Sequence, residues 1–72
     1  HFTRRFRARM GMAPYEYILH ERVQSARQRL RTTTQPLEQI ATDLGFSSQS
    51  HLTRVFRAEV GVPPGAYRRA WQ

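Results

Sequence analysis

Residues 37–67, LEQIATDLGFSSQSHLTRVFRAEVGVPPGAY, decide the fold. Leu37, Ile40, Ala41 and Leu44 recur at i, i+3, i+4 and i+7, the apolar stripe of an amphipathic helix. Pro36 suits the first turn of that helix, with Thr34 or Gln35 ahead of it as cap. Gly45 ends it, because glycine enters left-handed backbone without steric cost. Phe46 then turns into the core, and Ser47 or Ser48 caps the next helix. That helix carries Leu52, Val55, Phe56 and Val60 inward and is closed by Gly61. Helix, short glycine-containing turn, helix over residues 36–61 is a helix-turn-helix pattern. Pro63 and Pro64 open a short final helix over residues 64–70.

Part of this stretch occurs twice. HFTRRFRARMGMAPYEY, residues 1–17, aligns without gaps on HLTRVFRAEVGVPPGAY, residues 51–67, and nine of the 17 positions are identical. Phe2/Leu52, Met10/Val60 and Met12/Val62 keep apolar character. Residues 1–11 therefore read as the second helix of an earlier helix-turn-helix unit, closed by Gly11. Nothing before His1 corresponds to residues 37–50, so the first unit is expected to be incomplete. Between the units, residues 14–31 contain no breaker after Pro14. Tyr15, Leu19, Val23, Ala26 and Leu30 form a stripe along one bridging helix, with Glu21, Arg22, Gln24, Arg27 and Arg29 largely outside it. The threonine run 32–34 and Gln35 form the loop that ends this helix. The fold class is all-α: tandem homeodomain-like helix-turn-helix units bridged by a long helix.

The 72 residues suffice for one small domain. The formal net charge is +7, and all 12 basic residues are arginine. Arginine pairs bidentately with phosphate and with guanine edges. The same composition also follows from codon usage in a GC-rich genome. There is no cysteine, which excludes disulfides, thiol chemistry and cysteine-ligated metals. No apolar run approaches the roughly 20 residues that span a bilayer, and no signal-peptide pattern opens the chain. A cytoplasmic location without membrane contact is expected.

With both units placed, the chain resembles the AraC/XylS family of bacterial transcription regulators. The resemblance rests on IATDLGFSSQSHLTRVFRAEVGVPPGAYRR in the second unit and HFTRRFRARMGMAPYEYILHERVQSARQRL in the first. It implies a C-terminal DNA-binding domain, longer at its N-terminus in the complete family member, that offers one recognition helix per unit to the major groove. As the output module of a regulator the chain is expected to take duplex DNA as partner, with an effector-binding domain outside this chain; a surface that contacts RNA polymerase is compatible with that reading. Arg31 departs from the pattern, since an apolar residue is common there. A bridging helix of about 17 residues would be roughly 26 Å long, enough with packing offsets to place two recognition helices one turn of B-DNA apart in successive major grooves.

The exposed face of the second recognition helix holds Gln49, Ser50, Thr53 and Arg54, opposite Leu52 and Phe56. Glutamine can pair with adenine and arginine with guanine, and the family resemblance points to the same four positions. Thr3 and Arg4 are their partial counterparts in the first unit. Arg7 and Arg57 lie one turn further on and suit phosphate. Ser48 reads either as a phosphate ligand or as a helix cap. Arg27, Arg29 and Arg31 at the end of the bridging helix serve either its dipole or phosphate, and Arg68 and Arg69 are equally open.

No active site stands out and no cofactor is expected. His1, His20 and His51 are followed by no carboxylate or second histidine at i+3 or i+4, so packing or groove-edge roles outrank metal ligation. The chain is expected not to be an enzyme. A basic RNA-binding module would present aromatics to splayed bases, whereas the aromatics here fall on core positions. A membrane-surface helix is opposed by the Gly and Pro breaks. A protein-interaction module remains compatible with DNA binding. Phe2, Phe6 and Met10 form an apolar edge through which self-association, or fraying of the first helix, is expected.

Overall fold

The computed structural model describes residues 14–71, and these form four helices with no strand among them. They are α1 (Pro14–Thr32), α2 (Leu37–Leu44), α3 (Gln49–Val60) and α4 (Pro64–Trp71). The proposals for the first unit, including Thr3, Arg4, Arg7 and the apolar edge Phe2, Phe6 and Met10, lie outside the described residues.

The core is built around α1. Val23, Ala26 and Leu30 from α1, Ile40 and Ala41 from α2, Phe46 from the turn, Leu52 and Phe56 from α3 and Tyr67 from α4 close over one another. Leu19, Leu37, Leu44, Val55 and Val60 pack on the margin of this cluster and are partly covered. No polar or charged residue is buried among the described residues. Tyr15, expected on the inward stripe, is instead 60% exposed. It lies two turns ahead of Val23, where the buried stretch of α1 begins, so its position on the stripe brings no burial.

Two boundaries depart from the sequence reading for local reasons. Pro36 does not enter the first turn of α2 but is itself the cap residue, extended at φ −61° and ψ 148°. Its carbonyl accepts the first helical bond from the Ile40 N–H at 3.0 Å. Gln35, one of the expected caps, is engaged elsewhere: its side chain bonds Arg29 at 3.3 Å and Asp43 at 2.7 Å. At the other boundary α1 runs on to Thr32. The Thr32 and Thr33 hydroxyls donate to the carbonyls of Gln28 and Arg29, both at 2.8 Å, and so satisfy acceptors that a helix end leaves open. At 19 residues, α1 is about 28 Å long.

The arginines on α1 act as braces. Arg22 donates to the Gly45 carbonyl at 3.2 Å and so holds the turn between α2 and α3 from outside. Gly45 stands at φ +88°, and a Cβ there would come within 3.2 Å of the Arg22 guanidinium carbon. Backbone conformation and close approach therefore both select glycine. Arg29 pairs with Asp43 at 2.9 Å. Gln39, Gln35 and Arg29, each bonded to Asp43, hold its carboxyl below the usual range. Arg27 and Arg31 both donate to the Tyr67 hydroxyl, at 3.3 and 2.8 Å. Arg31 also lies over the Trp71 ring, 5.3 Å from its centroid. An arginine where the family commonly has an apolar residue thus ties the end of α1 to α4. Arg68 reaches back from α4 to the Leu30 carbonyl at 3.4 Å.

Burial alone would raise the Tyr67 hydroxyl, but the hydrogen bonds from Arg27 and Arg31 outweigh it and set the group below its ordinary value. The Glu21 hydrogen bond raises Tyr17 in the opposite direction. A depressed folded pKa favours the ionised form in the folded chain. The Tyr67 contribution to stability is therefore fully present above the unfolded value of about 10 and is lost as pH falls through the folded one. An alkaline titration of tyrosinate absorbance is expected to show Tyr67 ionising ahead of Tyr17, with the earlier phase missing in Y67F. An unchanged titration in Y67F would contradict the clamp.

Candidate nucleic-acid interface

Helix α3 begins at a paired cap. Ser48 is extended at φ −166° and ψ 168°, and its hydroxyl oxygen accepts from the His51 backbone N–H at 3.0 Å. The His51 side chain reaches back the other way: its Nδ1 accepts from the Ser47 backbone N–H at 3.2 Å. This is a variant of a capping box in which the returning side chain is an imidazole and takes the N–H of Ser47, one residue before the cap, rather than that of Ser48. The Phe46 ring meets His51 edge-on at 5.4 Å, which joins the turn to the first coil of α3. Gly61 at φ +98° closes the far end, its N–H bonded to the Arg57 carbonyl.

The rotation of α3 about its axis follows from Leu52 and Phe56, both fully buried. The opposite side is consequently turned outward. Gln49, Ser50, Thr53, Arg54, Arg57 and Ala58 line one open hollow along it. Gln49, Ser50, Arg54 and Arg57 are exposed and Thr53 is half-buried. The structure thus brings together the four residues expected to face bases, and sets Arg57 one turn further along the same face. Ser48 stands at the head of the helix; its oxygen is used in the cap, and its proton is free to be donated.

The hollow contains no carboxylate. Asp43 on α2 is held by Arg29, and Glu59, on α3 itself, is turned to the flank that faces α1, where it meets His20 at 2.5 Å and Gln24 at 3.3 Å. Among the described residues, Arg54 and Arg57 on α3 and Arg69 on α4 have no hydrogen-bond or ion-pair partner, whereas Arg22, Arg27, Arg29, Arg31 and Arg68 all do. Structural roles thus account for Arg27, Arg29, Arg31 and Arg68, four of the positions whose purpose the sequence left open.

Sequence reasoning missed the His20–Glu59 pair, the Arg22 brace and the His51 cap. The first two join residues 39 and 23 apart, beyond any local pattern. The third was legible in outline, since Ser48 and His51 hold the first and fourth positions of a capping box. Two aromatics also depart from expectation: Tyr15 and Trp71 are 60% and 59% exposed, at the start of α1 and the end of α4, and neither lines the α3 hollow. No cluster of three or more metal-ligating side chains occurs among the described residues. Nor is any described helix long and apolar enough to cross a membrane.

The sequence profile of a helix-turn-helix domain matches residues 1–70. The chain belongs to this family, the AraC-type helix-turn-helix domains. It is 41% identical over 68 residues to the regulatory protein SoxS of Salmonella typhimurium, covering 94% of this chain and 64% of that protein. It is 38% identical over 63 residues to the probable transcriptional regulator LumQ of Photobacterium leiognathi, covering 88% of this chain but 25% of that protein. The chain spans about a quarter of the length of LumQ and 21% of an AraC-like regulator of Streptomyces lividans. Among solved structures, an AraC-type transcriptional regulator from Chromobacterium violaceum superposes with a TM-score of 0.92 at 32% identity, covering 96% of this chain and 62% of that one. The DNA-binding domain of AdpA, solved in complex with a target DNA, superposes with a TM-score of 0.88 at 37% identity, covering 97% and 63%.

The cap at Ser48 has a measurable consequence. S48A removes the acceptor for the His51 N–H and is expected to lower stability by about 1 kcal/mol, read as an earlier urea midpoint with an unchanged slope. An unmoved midpoint would remove the cap from the account.

Proposed function

We propose that this chain binds duplex DNA sequence-specifically as the DNA-binding part of a transcription regulator, with α3 as a recognition helix in the major groove. The observation that carries the reading is the sorting of the arginines. The braces of α1 and α4 are engaged inside the fold, while Arg54 and Arg57 stand unpaired on the one face of α3 that carries no carboxylate. Gln49, Ser50, Thr53 and Arg54 face base edges in this reading, Gln49 suited to adenine and Arg54 to guanine. Arg57 and Ser48 face phosphates, where contacts position the helix without reading sequence.

The likeness to the AdpA domain supports this reading, because that relative was solved on DNA. The internal repeat extends it to Thr3 and Arg4 as base contacts and Arg7 as a phosphate contact, in a second recognition helix reading the next major groove. An effector-binding part outside this chain, contact with RNA polymerase and cytoplasmic location belong to the same reading, as does the absence of an enzymatic role. Self-association through Phe2, Phe6 and Met10 is a further part of it.

Two substitutions separate readout from charge. Arg54→Ala is expected to cost about 1–3 kcal/mol on a preferred duplex and to relax preference at one base pair. Arg57→Ala is expected to weaken all duplexes alike and to reduce the slope of log affinity against log salt by about 1. Equal losses from both variants on preferred and random duplexes would refute the assignment of Arg54 as a reader.

A further inference from the structure

His51 is positioned to do more than cap. A backbone N–H can only donate, so the bond from Ser47 N–H to His51 Nδ1 fixes Nδ1 as an acceptor. The Ser47 hydroxyl stands beside the same nitrogen at 3.1 Å. A neutral imidazole held this way carries its proton on Nε2, on the far side of the ring from the turn. No described residue accepts that proton. The ring lies on the flank of α3 that faces α1, in a hollow it shares with Glu16, His20 and Glu59 on the α1 side and with Arg54 and Ala58, two residues that also line the recognition hollow, on the other. It therefore sits at the edge of the DNA-facing surface, rather than behind it.

We infer that His51, locked as the Nε2–H tautomer by Ser47, is a further DNA-binding residue: an uncharged donor to a backbone phosphate at the flank of the recognition helix. The inference rests on the proposed reading of α3. It assigns His51 a job different from that of Arg57. A neutral donor helps to fix the angle at which the helix sits in the groove but releases no counterion, so it leaves the salt dependence untouched. The turn thus sets the tautomer, and the tautomer presents the donor.

Two isosteric substitutions separate the cap from the contact. H51N keeps a carbonyl oxygen near the Nδ1 position but ends short of Nε2. H51Q places an amide N–H near Nε2, and glutamine at this helix position also serves a capping box. H51N is expected to lose about 3- to 10-fold in affinity, equally on preferred and random duplexes and with the salt slope unchanged, while unfolding at the wild-type urea midpoint. H51Q is expected to bind within about twofold of wild type, the contact being retained. Histidine nitrogen NMR of the free wild-type chain at mildly alkaline pH is expected to show the proton on Nε2, and added duplex to shift that resonance. Wild-type binding with H51N unchanged, or a proton found on Nδ1, would overturn the inference and leave the reading of α3 standing. Failure of the wild-type chain to bind any duplex would overturn both.

Discussion

Leu52 and Phe56 lie one turn apart on α3 and are both closed off completely by α1, α2 and α4. Burying two side chains of this size stabilises the fold by about 2–3 kcal/mol each. They also fix the rotation of α3, which matters more for function. With these two inward, a helix of 3.6 residues per turn leaves residues 50, 54 and 57 outward and Thr53 half-buried at the side, while Gln49 is exposed at the start of the helix. A slip of one residue would turn Thr53 and Arg57, or His51 and Val55, inward in the place of Leu52 and Phe56. Val23, Ala26 and Leu30 of α1 supply the floor on which the two side chains sit, so the bridging helix and the recognition face are one mechanical unit.

Charge in this chain is divided by role, although it is all of one residue type. A domain this small has little apolar area to bury, and its arginines supplement the core with planar, multidentate contacts. Arg22 grips the turn, Arg29 ties α1 to α2, and Arg27, Arg31 and Arg68 tie α1 to α4. These contacts hold the guanidinium groups against the fold, and Arg29 alone among them meets a carboxylate. What remains unpaired on α3 faces the hollow.

Elements governed by local rules were legible in the sequence. The i, i+4 spacing of Leu52 and Phe56, the glycines at 45 and 61 and the serine before α3 each act over a few residues, and they place the recognition face. What escaped depended on distance in the chain. Tyr15 has the right periodicity for burial, yet burial on α1 begins only at Val23. Arg22 reads as a solvated charge until Gly45, 23 positions away, folds back against it. Pro36 failed differently: two competing hydrogen bonds took its expected cap Gln35 elsewhere, and the chain started α2 one residue later. Arg31 looked like a departure from the family pattern and proved to be a bridge to Trp71.

The central claim is that the outward face of α3 reads DNA sequence. It is tested most directly by selecting binders from a randomised duplex library at physiological salt and sequencing the enriched pool. The account predicts two enriched patches about 10 base pairs apart, with the patch assigned to α3 losing definition in the Arg54→Ala variant. Salt-sensitive binding without any enriched sequence would contradict it, leaving α3 a basic surface with no reading role.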